Sequence, residues 1–217
     1  MRLLPYLATA ATALIIGVVA DNNIIGPFAL RLKGKVDTNI DGYVWACHAG
    51  AATEGFCYVA GSAPVRGLEY EFYYNYTYFE TYNYPGYISY EFLYQGIEGN
   101  PLKVPSFAHI YPNWGSNVHT MLAPPGTDDG TPISLDFETG EFYIGSLYDD
   151  TAWNITVPTG QTGESLSNFH LCYQWTGGYW YRSVAWVSGF EGARPQNPSC
   201  EPVSLSIVSL EPEPNPN

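Results

Sequence analysis

Apolar and polar residues alternate along most of this chain with a period of two. Phe28, Leu30 and Leu32 share one side of a segment whose other side carries Ala29, Arg31 and Lys33. Over residues 68–78, Leu68, Tyr70, Phe72, Tyr74, Tyr76 and Tyr78 oppose Glu69, Glu71, Tyr73, Asn75 and Thr77. Ile88, Tyr90, Phe92 and Tyr94 oppose Ser89, Glu91, Leu93 and Gln95, and Ile133, Leu135 and Phe137 oppose Ser134, Asp136 and Glu138. The pattern recurs at Trp153, Ile155 and Val157 against Asn154 and Thr156, and at Val203, Leu205 and Ile207 against Ser204 and Ser206. Successive side chains of a strand point to opposite faces, so each run predicts a strand with one buried side.

Turn residues punctuate the runs: Gly34-Lys35, Asn83-Tyr84-Pro85-Gly86, Gly99-Asn100-Pro101, the stretch 124–130, Thr139-Gly140 and the stretch 159–163. Thr139-Gly140 predicts a hairpin between 133–138 and 141–145. No stretch of ten residues carries a helical stripe; 49–54 is compatible with one short helical turn. Ten to twelve short strands predict an all-β fold, a two-sheet antiparallel β-sandwich over residues 21–210. A closed β-barrel is the alternative, and periodicity does not separate the two.

Composition agrees with strands and turns. The 217 residues include 19 Tyr, 22 Gly and 17 Pro, and only 13% are charged. A formal net charge of −13 repels phosphate backbones and anionic lipid, which argues against nucleic-acid binding. Residues 1–20 read as a signal peptide. Arg2 supplies the positive start, 3–19 is almost wholly apolar, and Val18 and Ala20 place small side chains before a cut at Asp21. The chain is therefore expected outside the cell, with no membrane attachment after cleavage. The Pro/Glu-rich stretch 211–217 is expected to be disordered and carries no lipid-anchor signal.

Four cysteines, Cys47, Cys57, Cys172 and Cys200, form an even set in an exported chain and read as two disulfides. Of three possible pairings, Cys47–Cys57 and Cys172–Cys200 close the shorter loops. There is no CxxC pair and the histidines are scattered, so no metal or other cofactor is called for. Two sequons stand at Asn75-Tyr76-Thr77 and Asn154-Ile155-Thr156, while proline disqualifies Asn197-Pro198-Ser199. Asn75 and Asn154 both fall on the polar side of their strands, where a glycan must be.

Candidate chemistry is sparse. His48 and Glu54, inside the Cys47–Cys57 loop, are a possible acid–base pair, although a stapled strand connection explains them as well. Asp136, Glu138 and Glu141 surround the predicted hairpin. Alternate strand residues lie about 6.6 Å apart, within the range of glycosidase carboxylate pairs. Glu69 and Glu71 repeat the pattern, which weakens both. No nucleophile elbow, phosphate loop or HExxH occurs, and His109, His119 and His170 stand alone. The aromatic density near the C-terminus, with Trp175, Tyr179, Trp180, Tyr181 and Trp186, offers flat rings for sugar C–H faces. Trp175, Trp180 and Tyr181 are the candidate sugar-binding residues, and Tyr73 is set apart by lying on a polar strand side.

Two stretches together carry a resemblance. One is Cys47-His48-Ala49-Gly50-Ala51-Ala52-Thr53-Glu54-Gly55-Phe56-Cys57. The other runs from Phe169-His170-Leu171-Cys172 through Tyr181-Arg182-Ser183-Val184-Ala185-Trp186-Val187 to Pro195-Gln196-Asn197-Pro198-Ser199-Cys200. Their combination resembles a family of small secreted filamentous-fungal glycoproteins of unknown function. The resemblance implies an extracellular or cell-wall glycoprotein with a β-sandwich and paired cysteines, and brings no catalytic residue. The expectation is a secreted, non-enzymatic, disulfide-stabilised glycoprotein whose partners are extracellular carbohydrate or cell-wall components, with its oligomeric state open. A carbohydrate-binding module is the alternative, and a carboxylate-dependent glycan hydrolase or lyase comes third.

Overall fold

Ile25, Phe28, Leu30 and Leu32 all face the core, yet the step from 25 to 28 breaks the period of two. A bulge reconciles them. In strand β1 (Asp21–Gly34) the register shifts between Ile25 and Phe28, around a cis Gly26–Pro27 peptide. The extra residue resets the alternation, so both halves of one strand turn apolar side chains to the same interior. Gly26 is required there: its φ is 136°, and a Cβ would stand 2.8 Å from the Phe72 carbonyl oxygen.

The computed structural model describes residues 21–62, 64, 67–79, 82–83, 85–95, 101–145 and 164–210. The predicted signal segment 1–20, the tail 211–217 and Asn154 with its strand lie outside the described residues.

The first half of β1 pairs with β4 (Phe72–Phe79), which continues to β6 (Tyr87–Gln95) and β7 (Pro101–Phe107), with β5 (Tyr82–Asn83) beside β4. The second half pairs with β2 (Asp41–Gly50) and β15 (Glu201–Val208). β2 continues to β3 (Thr53–Ala60), and β15 to β13 (Phe169–Thr176) and β14 (Tyr179–Val187). β9 (Val118–Ala123), flanked by β8 (His109–Tyr111), pairs with both β3 and β14. A small sheet of β10 (Ser134–Leu135), β11 (Phe142–Gly145) and β12 (Ser165–Leu166) completes the described strands. Every pairing is antiparallel, and the fold is the expected all-β sandwich. It has one added feature. β14 meets β3 at Ser183 and Cys57, so β1, β2, β3, β14, β13 and β15 form a closed circuit of paired strands.

One core joins the layers. Phe72, Tyr74, Ile88 and Tyr90 come from the first, and Leu30, Leu32, Val44, Phe56, Leu171, Val184, Trp186 and Leu205 from the second. The small sheet contributes Leu135 and Phe142, the latter edge-on to Tyr74 at 5.7 Å. A second apolar cluster lies on the other face of β13 and β14, where Ala193 and Cys200 cover Val118, Cys172, Ala185 and Val187. The 188–200 connection is fastened by the Cys172–Cys200 disulfide. A reciprocal pair reinforces it: Asn117 N–H donates to Gln196 Oε1 and Gln196 N–H to Asn117 Oδ1, each at 2.9 Å.

The structure corrects three expectations. Leu68–Tyr70 is a 3-10 turn, and the strand begins at Phe72. The strand expected over 133–138 is cut to Ser134–Leu135, because Asp136 Oδ1 accepts the N–H groups of Glu138 (2.8 Å) and Thr139 (3.3 Å) and turns the chain. Residues 49–54 form no helical turn. They are the tip of the β2–β3 hairpin, where Gly50 pairs with Thr53 across a two-residue loop, spanned diagonally by the Cys47–Cys57 disulfide.

That loop is Ala51-Ala52, with φ of 37° and 60°. Two left-handed positions in a two-residue hairpin suit Asn-Gly, and a Cβ in this region costs about 1 kcal/mol per residue. Replacing the pair by Asn-Gly (A51N/A52G) is expected to stabilise the protein by about 1 kcal/mol, raising the melting temperature by about 3 °C. An unchanged or lowered melting temperature in calorimetry would contradict this.

Candidate functional site

The β13–β14 hairpin, turning at Gly177-Gly178, sorts its side chains by rung. On one face the rungs are Phe169 with Trp186, Leu171 with Val184, Tyr173 with Arg182, and Trp175 with Trp180. The first two belong to the core. The last two run past it into solvent. Tyr173, Trp175 and Trp180 are 54%, 53% and 57% exposed. The Tyr173 and Trp180 rings lie 5.6 Å apart and 23° from parallel, while Trp175 stands edge-on to Trp180 at 5.8 Å. Arg182 extends the surface, its guanidinium carbon 5.1 Å from the centre of the Tyr58 ring. No carboxylate pairs with Arg182 among the described residues.

Three exposed rings, with Trp180 in contact with both Tyr173 and Trp175, form a contiguous apolar surface, which makes this hairpin the candidate site. They are also held in place. The opposite face of the same hairpin rests on the β2–β3 tip. Thr176 sits against Gly55 so closely that a Cβ on residue 55 would lie 2.6 Å from its methyl group. At Gly177 (φ 63°) a Cβ would meet the Ala49 carbonyl oxygen at 2.2 Å. The Tyr181 hydroxyl donates to the His48 carbonyl at 3.3 Å, and the Tyr179 ring contacts the His48 ring at 5.6 Å. Buried polar groups on this underside satisfy one another: Gln174 Nε2 donates to Ser183 Oγ at 3.0 Å, and Ser183 and Thr176 share a hydroxyl bond of 2.8 Å. The outer edge is clamped as well. Tyr173 N–H donates to Ser199 Oγ at 3.0 Å, and Asn197 Nδ2 donates to the Tyr173 carbonyl at 3.1 Å. One disulfide lies under each support, Cys47–Cys57 beneath the tip and Cys172–Cys200 beside the clamp.

Of the sugar-binding candidates read from the sequence, Trp175 and Trp180 come together and Tyr181 does not. Strand alternation puts Tyr181 opposite Gln174 on the underside. Tyr173 takes its place, and the turn at Gly177-Gly178 fixes that register, so pairing the hairpin would have found it. Trp186 is core, edge-on to Phe169 at 5.1 Å.

The carboxylate candidates divide. Asp136, Glu138 and Glu141 line an open cleft of ≈ 590 Å³ with Tyr143 and Ser165. The N–H bonds from Glu138 and Thr139 hold the Asp136 carboxyl below its ordinary range, the reverse of what a proton donor needs. Glu54 is different. It stands directly across from His48, is 8% exposed, and burial pushes its carboxyl up, with His48 opposing and Glu69 adding to the shift. The neighbouring Tyr90 hydroxyl is raised to about 12, first by burial and then by Glu54 and Glu69.

Two of the other histidines are spent locally. His170 is buried with its Nδ1 3.0 Å from the Asn168 carbonyl, and burial lowers its pKa. His119 accepts the Asn113 N–H at Nδ1 (3.0 Å) and meets Ser188 Oγ at Nε2. His109 Nε2 is buried with no hydrogen-bond partner among the described residues. Among the described residues, no three metal-ligating side chains converge. Asn75 does sit on the outward face of β4, but is half-buried there and donates from Nδ2 to Ser89 Oγ at 2.6 Å.

Comparison with protein-family models, curated proteins and solved structures gives no match for this chain.

Glu54 supplies a test of its environment. Its folded-state pKa lies above the unfolded one, so the folded protein binds the proton more tightly and the ionised carboxylate is a penalty at neutral pH. That penalty is relieved as pH falls through the folded pKa. Glu54→Gln is therefore expected to raise the melting temperature at pH 7. The gain should fade below about pH 4, where glutamate is protonated in both states. An equal gain at both pH values would show that burial of charge is not the cause.

Proposed function

We propose that this chain is an exported, non-enzymatic glycoprotein that binds extracellular or cell-wall carbohydrate on the platform formed by Tyr173, Trp175 and Trp180. The observation that carries the reading is this set of three exposed, touching rings on a hairpin supported from beneath and from the side. Sugar rings present apolar C–H faces that pack on flat aromatic surfaces. A ligand gains most when those surfaces do not have to be ordered on binding. Arg182, committed to no carboxylate among the described residues, supplies N–H donors beside the rings for sugar oxygens. Two disulfides suit an oxidising compartment, in keeping with the apolar leader read at 1–20.

The test is a titration of the protein with soluble fragments of wall and extracellular polysaccharides, followed by tryptophan fluorescence and calorimetry. At least one glycan is expected to bind. Trp180→Ala should weaken it about tenfold, the scale of one lost stacking contact, while leaving the melting temperature nearly unchanged because the ring is mostly exposed. Absence of binding across the panel, or undiminished binding by the variant, would remove the platform as a sugar site.

A further inference from the structure

The outward face of the first layer carries a cleft of mixed polar and apolar lining that the platform reading leaves unused. It is a hollow of ≈ 320 Å³ lined by Ile24, Asn75, Thr77, Pro85, Tyr87 and Phe107, among others. Asn75, the sequon acceptor, is at its centre by register: Ile24 is its direct partner on β1 and Tyr87 its direct partner on β6. Ile24 is 68% exposed, an unfavourable place for an aliphatic side chain. Tyr87 and Phe107 meet edge to face at 6.0 Å and form the opposite wall.

We propose that this cleft is the seat of the first N-acetylglucosamine of a glycan on Asn75, so that the modification is a packed part of the fold. The inference rests on the export and glycosylation part of the reading above. In the attachment, Asn75 Nδ2 loses one proton and bonds to the anomeric carbon of the sugar. The leaving group is the diphosphate of a lipid-diphosphate oligosaccharide donor. One N–H remains on Nδ2, enough to keep the bond to Ser89 Oγ, and Ser89 is itself 7% exposed and held within the sheet. That bond fixes the amide plane, which leaves the sugar little freedom to swing away. Its acetamido methyl and C–H face then cover Ile24 on one side and the Tyr87–Phe107 wall on the other. The open side of the cleft leaves the outer sugars in water.

The test uses the full chain with Asn154→Gln, so that Asn75 is the only sequon, produced in a glycosylating secretory host. Intact mass first reads occupancy at Asn75. Three forms are then compared by melting temperature: the full glycan, the glycan trimmed enzymatically to its first sugar, and the unmodified chain from an oxidising host without the pathway. The trimmed form is expected to melt with the full form, and both about 3 °C above the unmodified chain, the shift that covering a few apolar groups produces in a domain of this size. In an Ile24→Ser background, where the exposed side chain is not needed for folding, the gap should shrink by half or more. In the trimmed form, the N-acetyl methyl should show nuclear Overhauser contacts to the Tyr87 or Phe107 ring. An unoccupied Asn75 would overturn the glycosylation reading and the cradle with it. An occupied Asn75 with equal melting temperatures and no ring contacts would overturn the cradle alone.

Discussion

The whole structure hangs on one strand that belongs to two layers. β1 gives its first half to β4 and its second half to β2 and β15, and a single bulge makes this possible. Without the extra residue at 26–27, either Ile25 or the set Phe28, Leu30 and Leu32 would face solvent. A one-residue slip turns every side chain over. The core is continuous because this strand is apolar toward the same interior along both halves. The small sheet depends on it too, since Phe142 packs against Phe28 as well as Tyr74.

The second organising feature is the division of labour within the β13–β14 hairpin. Near β15 it is a core element, with both apolar rungs buried. Past Leu171 the same face keeps its large rings but loses its cover. The other face stays covered but turns polar, with Gln174, Thr176 and Ser183 buried and hydrogen-bonded together. Small and polar groups there permit a close approach to Gly55 and Ala49 that larger side chains would block. A rigid presentation of exposed rings is thus the counterpart of a tight, polar underside.

Much of this was legible in the sequence. Period-two runs located the interiors of β1, β4, β6 and β15, and the short-loop rule paired the cysteines as they stand. What the pattern could not carry was anything set by long-range contact. The closed circuit needs β15 to return to β1, a pairing across most of the chain that no local signal encodes. Ala51-Ala52 has helix-forming residues in a turn that Asn-Gly would ordinarily mark, so local propensity pointed the wrong way and the hairpin around it prevailed. In the β13–β14 hairpin the sequence located the aromatic cluster but not the facing of its members: the register sets Tyr173 with Trp175 and Trp180 and turns Tyr181 to the other side. The upward shift of the Glu54 carboxyl was invisible for the same reason: its burial involves strands distant in sequence, such as β9, where it pairs with Ala123.

The closed circuit of strands has a consequence for how these molecules behave beside one another. A strand paired on both sides has no row of free backbone groups to offer a neighbour, and in this fold that describes most of the second layer. Among the described residues, β7 ends the strand path of the first layer. There Pro101 and Pro105 remove donors, Lys103 places a charge on the rim, and the 124–127 loop partly caps it, with Gly126 N–H donating to the Pro105 carbonyl at 3.1 Å. A protein rich in tyrosine and β-structure would ordinarily be prone to stacking edge to edge. Here the exposed apolar surface lies on ring faces while most described strands have their backbone groups paired, so contact between copies through these faces does not extend the sheet.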